Sequence, residues 1–517
     1  MDTSANNKRI AKNTILLYIR MFFIMAVTLF TSRVVLNTLG VVDFGIYNVV
    51  GGVVAMMGIL NGAMAVSTQR YLTFELGRGD MVRLKQVFSV CFTIFFLLSV
   101  IVVILAETVG LWFLHNKMVI PAERMTAANW VYQYSILACI LSLVVNPFNA
   151  IIIAHERMNV YAYVSILEVL LKLGVVYLLL VIPADRLSTY GLLILISQVI
   201  VTSTYIIYCW KHFPETHYRF YWERPLFIEL VSYSGWNLFG SVSGIVKGQG
   251  LNILLNMFFN PAVNAARGIA YQINSAITQF FTNFYTAVRP QITKYYAQGD
   301  MENMIKLIFR SSKFSFYLIM LISMPIVIEA PYIVNLWLGQ LPDHVVPFTR
   351  LIVVISAIDA MATPLMTAAH ATGHIRLYQS SVGTLTILNL PISYIFLKLG
   401  GQPLTVFYIS LCISTFCLFI RLWIVRRLMD FPVKQYIIKV FGSCVGICIV
   451  ALIIPLIAHL LLSESFLNVV IVCLLCIVST AISVYELGLT KHERNLVIGI
   501  IKKKIIHKNN NDPTRHS

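Results

Sequence analysis

Charged side chains are scarce in this sequence, and those inside apolar runs are its first chemical signal. Six are cations: Arg20, Arg33, Lys172, Lys247, Arg267 and Arg421. The acids there are chiefly Glu107, Glu168, Glu229, Glu329 and Asp359. A charge at the centre of a bilayer costs about 2.5–3.5 kcal/mol on insertion scales, so each needs a partner, water or a task. A guanidinium can clasp an oxyanion with two parallel hydrogen bonds, and an ammonium supplies a point charge. Arg20, Arg33, Lys247 and Arg267 are therefore expected to bind an anionic ligand in a polar cavity. Arg33 and Arg267 lie within about two turns of the outer surface, where they could instead reach lipid headgroups.

Around Lys247 and Arg267 run Asn237, Ser241, Gln249 and Asn252, with Ser243 and Asn256. Their amides and hydroxyls suit a hydroxylated ligand in a wet cavity, and hydrogen bonding between helices explains them nearly as well. Glu168 and Lys172 stand four apart, on one helix face, and are expected to pair. A coupling role is the alternative for them. Asp359, five residues before Pro364, is the best lone acid for a coupling ion or proton, with a structural hydrogen bond as its plain explanation. Arg421 is expected to snorkel. Gly240, Gly244 and Gly248 read as a packing seam. The stretches beginning at Arg70 and Arg289 read as solvated gates and topology anchors. No residue set reads as catalytic.

The elements that must position these side chains follow from composition. Of 517 residues, 58% are hydrophobic and 12% charged, about half the charge of a soluble domain. The mean hydropathy is +0.79. At roughly 20 apolar residues per crossing, such a chain furnishes about fourteen membrane-spanning helices. Apolar runs place them at 14–36, 44–68, 87–111, 127–154, 160–182, 190–210, 227–258, 262–288, 311–336, 345–369, 377–397, 404–425, 436–461 and 466–487. The run at 227–258 is too long for one straight crossing and holds Gly235, Gly240, Gly244, Gly248 and Gly250, so close packing, a bend or an unwound stretch is expected there. The polar segment 1–13 precedes a run without a small-residue cleavage site, which is expected to remain as the first helix.

A net charge of +17 excludes little by itself, because a nucleic-acid surface needs a soluble basic face that is absent here. Topology accounts for it. With the N-terminus inside, about 28 Lys and Arg fall in cytoplasmic segments, against Lys117, Arg124, Arg186, Arg350 and Lys398 in the opposite loops. Both termini are thus expected in the cytoplasm. No connection between helices exceeds roughly 20 residues, too short for a soluble catalytic domain. The nine cysteines lie in apolar runs and read as small hydrophobes; neither metal nor cofactor is expected.

Two pieces of the chain repeat. Gln69-Arg70-Tyr71 and then Gly77-Arg78-Gly79-Asp80-Met81 follow the second helix; Arg289-Pro290-Gln291 and then Ala297-Gln298-Gly299-Asp300-Met301 follow the eighth. Helices one to six and seven to twelve therefore read as related halves. The organisation expected is a six-helix bundle over 1–225, a second over 226–430, two extra helices over 431–490 and a basic cytoplasmic tail over 491–517.

The run Asn37-Thr38-Leu39-Gly40, then Asp43-Phe44-Gly45-Ile46-Tyr47-Asn48, then Ser67-Thr68-Gln69-Arg70-Tyr71 and Glu75-Leu76-Gly77-Arg78-Gly79-Asp80, resembles the opening of the polysaccharide-biosynthesis flippases, the O-antigen and lipid-linked oligosaccharide translocases. Asn264-Ala265-Ala266-Arg267-Gly268-Ile269-Ala270 resembles their eighth-helix signature. The resemblance implies an all-α polytopic fold like that of the multidrug and toxic-compound extrusion (MATE) transporters: two six-helix bundles about a cavity that opens to alternate sides. It implies a bacterial inner-membrane flippase, not an enzyme, moving undecaprenyl-pyrophosphate-linked oligosaccharide outward for surface polysaccharide. Polyprenyl pyrophosphate cargo, membrane lipids and polysaccharide polymerase or assembly proteins are the expected partners, and nucleic acid is not. The competing readings are an ion-coupled multidrug exporter, a lipid II flippase and, further off, a membrane glycosyltransferase or ligase.

Overall fold

The computed structural model describes residues 3–116, 120–182, 184–259, 261–338, 343–463, 465–489 and 494. Within these, the side chains at 3–8, 29, 32–33, 36–37, 41–42, 44–45, 48–49, 51–60 and 261 lie outside the description. The Arg33 side chain and nearly all of the basic tail therefore fall outside the described residues.

The described chain is all-helical. In order it runs α1 (Thr3–Arg78), α2 (Met81–Leu105), α3 (Leu111–Asn116), α4 (Met125–Ala154), α5 (Met158–Val181), α6 (Arg186–His212), α7 (Arg224–Phe258), α8 (Pro261–Ala297), α9 (Met301–Ile328), α10 (Ala330–Leu338), α11 (Val345–Ala371), α12 (Arg376–Lys398), α13 (Thr405–Met429), α14 (Val433–Tyr436), α15 (Ser443–Leu461) and α16 (Phe466–Ser483). Eleven helical stretches are long and apolar enough to cross a membrane. The remaining expected crossings are the second run of α1, partly outside the described side chains, and α7 and α8. Those two are 35 and 37 residues long, but too polar to join the apolar set. This is a multi-pass membrane protein of about fourteen spans.

Local chemistry sets the boundaries. In α1 the helix breaks at Gly40, whose φ of 77° separates the first two spans. Beside the break, Arg186 donates to the Thr38 carbonyl at 3.0 Å and Arg124 forms an ion pair with Asp43. The break inside the Asn37–Asn48 motif is thus held by two arginines. Between α2 and α3 a wide turn over Ala106–Gly110 leaves the Ala106 carbonyl accepting both the Leu111 amide and the buried Tyr132 hydroxyl, the latter at 2.7 Å.

Both repeat motifs build the same turn. Gly79 and Gly299 take φ of 79° and 73°, ending one helix, and the next residue caps the following one. Asp80 accepts from the Arg83 amide at 2.9 Å and Asp300 from the Asn303 amide at 3.2 Å.

Tertiary contacts divide the chain into two compact units. Unit 1 comprises Met1–Gln249, Asn283–Leu307 and Met366–Leu388; unit 2 comprises Gly250–Thr282, Ile308–Leu365 and Asn389–Ser517. The core of unit 1 gathers Phe88, Phe148, Tyr71, Leu72 and Ile151, with the Phe88 and Phe148 rings edge to face at 5.3 Å. Unit 2 packs Leu251, Leu255, Ala266 and Ala270 against Phe348 and Phe407.

The long α7 is one uninterrupted helix, so the expected unwinding is not found. Only part of its glycine series packs closely: a side chain at Gly240 would collide with Gln379 and one at Gly250 with Leu390, while Gly244 and Gly248 face open space. The Gly240–Gly244–Gly248 seam is therefore reduced to its first member.

Candidate functional site

Arg267 and Asn252 come together in unit 2. Pro261 opens α8, where the missing amide hydrogen of proline costs nothing. One turn on, Asn264 Nδ2 donates to the Asn252 carbonyl at 3.2 Å, and Arg267 Nη1 donates to Asn252 Oδ1 at 3.1 Å. The guanidinium lies over the ring of Tyr271, four residues ahead, at 4.4 Å from its centroid. Buried Ala266 and Ala270 anchor this turn in the core, so Arg267 is 9% exposed and held in place.

From Arg267 onward α8 carries a wall that the sequence reading passed over. Between Ala262 and Thr282 its exposed residues are Ala262, Ala265, Gly268, Tyr271, Gln272, Ser275, Ala276, Gln279 and Thr282. None is a branched aliphatic or a phenylalanine. A lipid-facing helix looks different: α15 exposes Ile449, Ile453, Ile454, Ile457 and Leu460. A face of amides, hydroxyls and small residues inside a membrane protein is one that meets water rather than acyl chains. The signal was present, since Gln272, Ser275, Gln279 and Thr282 recur at helical spacing.

In unit 1 the Arg20 guanidinium rests over the Tyr161 ring at 4.6 Å. Its Nε is buried without a hydrogen-bond partner, and among the described residues no salt bridge reaches it. Lys247 is half-buried in α7, and it too forms no ion pair among the described residues. Ser241 and Gln249 are exposed; the Ser241 hydroxyl donates back to the Asn237 carbonyl at 3.0 Å. Asn237 does not line an open surface. It is 5% exposed, and its Oδ1 accepts from Gln379 Nε2 at 3.0 Å, because α7 and α12 close on each other at Gly240.

The candidate coupling groups are all found in pairs. Lys172 Nζ lies 2.7 Å from Glu168 Oε1, one helical turn away. Asp359 is not a lone acid: it accepts from Ser414 Oγ at 2.8 Å and lies 3.5 Å from Arg421 Nη1. Arg421 consequently turns to Asp359 rather than outward to headgroups, and its side chain is 16% exposed against 45% for Asp359. Two opposite charges on α13 and α11 offset each other's insertion cost in this way.

A second polar centre in unit 1 escaped the sequence reading. Glu156 ends the turn after α4 with φ of 58°, and its carboxylate is fully buried. Arg9 Nε at 2.7 Å, Lys294 Nζ at 2.6 Å and Gln291 Nε2 at 2.5 Å converge on it. Burial pushes the Lys294 ammonium below its ordinary pKa, and Glu156 pulls it part of the way back. His155, the preceding residue, stacks on Phe213 and reaches Glu215 at 2.6 Å. Although burial works to raise the Glu215 pKa, that hydrogen bond and a backbone one hold it below the usual value. The Arg83 guanidinium, bonded to Glu223 at 2.6 Å, takes that carboxyl down to about 2.

Arg70 is not a solvated anchor. It is buried and donates to the His370 and Ala371 carbonyls at 3.2 and 2.8 Å, capping the C-terminal end of α11.

No protein-family profile matches the chain, and no curated protein matches it in sequence. Solved structures do match it in fold. A MATE transporter in the bent conformation superposes with a TM-score of 0.71 at 16% identity, over 83% of this chain and 97% of that one. An outward-facing multidrug-resistance MATE family transporter of the MOP superfamily gives 0.65 at 16% identity, over 81% and 96%. A MOP superfamily transporter from Pyrococcus furiosus, for which a binding pocket of reverse polarity and a different function have been suggested, gives 0.61 at 16% identity, over 82% and 96%. The fold is MATE-like: all-helical and polytopic.

Proposed function

We propose that this chain is a flippase that carries undecaprenyl-pyrophosphate-linked oligosaccharide from the cytoplasmic to the periplasmic leaflet of a bacterial inner membrane by alternating access. The observation that carries the reading is the exposed, polar face of α8, with Arg267 at one end of it. Moving a charged, hydroxylated headgroup through hydrocarbon is prohibitive, so a polar wall must substitute for water while the lipid tail stays in the bilayer. Arg20, Arg33, Lys247 and Arg267 would hold the pyrophosphate, and Gln249, Ser241 and Asn252 its sugars. Asp359, with the Glu168–Lys172 pair as the lesser candidate, would respond to the driving ion. The halves meeting near residue 225 would rock about the cargo, both termini remaining cytoplasmic. Polysaccharide polymerase or assembly proteins would take over the product. The fold supports transport, and the Pyrococcus furiosus relative in fold is a precedent for altered pocket polarity.

One observation favours a different cargo. The Asp359 carboxylate is 45% exposed, and an exporter of cationic drugs would need such an acid. The α8 wall itself offers none.

The test is headgroup translocation in liposomes with Arg20, Lys247 and Arg267 each changed to Ala. Each substitution is expected to slow transfer at least tenfold. Unchanged transfer by all three, or drug export in its place, would remove the reading.

A further inference from the structure

The wall of α8 carries more information than its wetness. Its exposed residues are hydrogen-bonding or small, yet none is charged. From Gly268 to Val288 the sequence holds no Asp, Glu, Lys, Arg or His, so the cations of this helix stand at Arg267 and, beyond the wall, at Arg289 and Lys294. Arg267 to Thr282 is fifteen residues, or about 22 Å of helix.

A pyranose ring presents hydroxyls around its edge and apolar C–H faces above and below. A primary amide offers both donors and an acceptor, a hydroxyl offers one donor and two lone pairs, and an aromatic face accepts the C–H side of the ring. Gln272 and Gln279 supply amides, Ser275 a hydroxyl and Tyr271 the aromatic face, while the Thr282 hydroxyl, which donates to the Thr278 carbonyl at 2.9 Å, offers its lone pairs alone. Tyr271 is 38% exposed, with Arg267 stacked on it and the amide of Gln272 beside it in sequence. An acidic sugar on this stretch would find no cation on α8 between Arg267 and Arg289. A cationic ligand would find no carboxylate.

We infer that the exposed face of α8 from Tyr271 to Thr282 is a binding track for uncharged sugar rings, lying directly beyond the anion-holding Arg267. This rests on the flippase reading and adds to it the class of glycan carried: neutral or N-acetylated residues next to the pyrophosphate, and not uronic acids.

The experiment uses the purified full chain and three probes: geranyl pyrophosphate, geranyl pyrophosphate bearing a neutral disaccharide, and the same lipid bearing a disaccharide that contains glucuronic acid. Wild-type chain is expected to bind the neutral-sugar probe about tenfold more tightly than the bare pyrophosphate, the worth of two or three net hydrogen bonds, and the acidic-sugar probe no better than the bare one. In Q272L/Q279L the margin between the neutral-sugar and bare probes should collapse, and in Q272N/Q279N, which keeps the amides, part of it should return. Because every comparison is a ratio within one protein, loss of folded material does not mimic the result. A wild type that binds bare pyrophosphate but gains nothing from neutral sugar, or gains more from the acidic one, overturns the track and leaves the flippase reading standing. Failure to bind any of the three probes takes down both.

Discussion

Gly77 and Ala297, 220 residues apart and at equivalent places in the two repeat motifs, touch within unit 1: a Cβ built on Gly77 would stand 2.9 Å from the Ala297 Cβ and 3.1 Å from the Lys294 Cα. The two turns therefore do more than share a sequence pattern. The ends of α1 and α8 pack against one another through the small residue that begins each motif, with the Phe74 and Tyr296 rings alongside at 6.3 Å.

Enlarging that contact should be costly. Gly77→Val is expected to destabilise the protein by about 1–3 kcal/mol through overpacking, read as a lower thermal midpoint in detergent. Combining it with Ala297→Gly should recover part of the loss. A midpoint unmoved by Gly77→Val would mean that the two turns do not bear on each other.

Beside this contact, Glu156 joins α1 to the end of α8 through Arg9, Lys294 and Gln291. Glu156→Gln leaves the buried Lys294 ammonium, with the half-exposed Arg9 beside it, facing a neutral amide, and a loss of about 3–5 kcal/mol is expected. Lys294→Met in the same chain removes one of the stranded charges and should restore stability in part. Full stability of the single variant would contradict the geometry.

Acid stability follows from the carboxylates outside the spans. Glu223, at about 2, and Glu215 both have folded pKa values below their ordinary ones. A depressed pKa contributes stability that is complete above the unfolded value, about 4.3 for Glu, and is lost as pH falls toward the folded one. The thermal midpoint should therefore hold from neutral pH to about 5 and decline between about 5 and 2. Glu223→Gln should flatten that decline; an unchanged slope would show that the Arg83 pair does not contribute.

Much of this was legible in the sequence. Apolar run lengths found the crossings, because hydrocarbon thickness dictates them almost alone. The Gly-Asp-Met repeat found the equivalent turns, because a left-handed Gly and an Asp cap leave a fixed signature. Partnerships between distant helices were harder. Nothing near Asp359 in the chain announces Arg421, and nothing near Glu156 announces Lys294, since these pairs are made by packing. Asn237 was misplaced for a related reason: polarity says that an amide needs a partner, and Gln379 supplies it in the helix interface. The α8 wall is not legible from charge, because its information lies in uncharged residues at helical spacing.

At Asp359 the proposed coupling role gives a sharp expectation. Asp359→Asn keeps a hydrogen-bond acceptor for Ser414 and removes the charge facing Arg421. Transfer driven by an imposed ion or proton gradient should then fall to the rate seen without a gradient, while exchange at equilibrium persists. Gradient dependence that survives the substitution would assign coupling elsewhere.

The central claim, that the α8 wall meets water inside the membrane, can be read directly. In a chain with its nine native cysteines replaced, single cysteines at Gln272, Ser275 and Gln279 are probed with a membrane-impermeant thiol reagent in intact vesicles, with cysteines at Ile449 and Ile453 of α15 as lipid-facing references. The three α8 positions should react readily and the two α15 positions remain inert. If instead the α8 positions are as unreactive as those on α15, the wall is dry and there is no polar path for a headgroup.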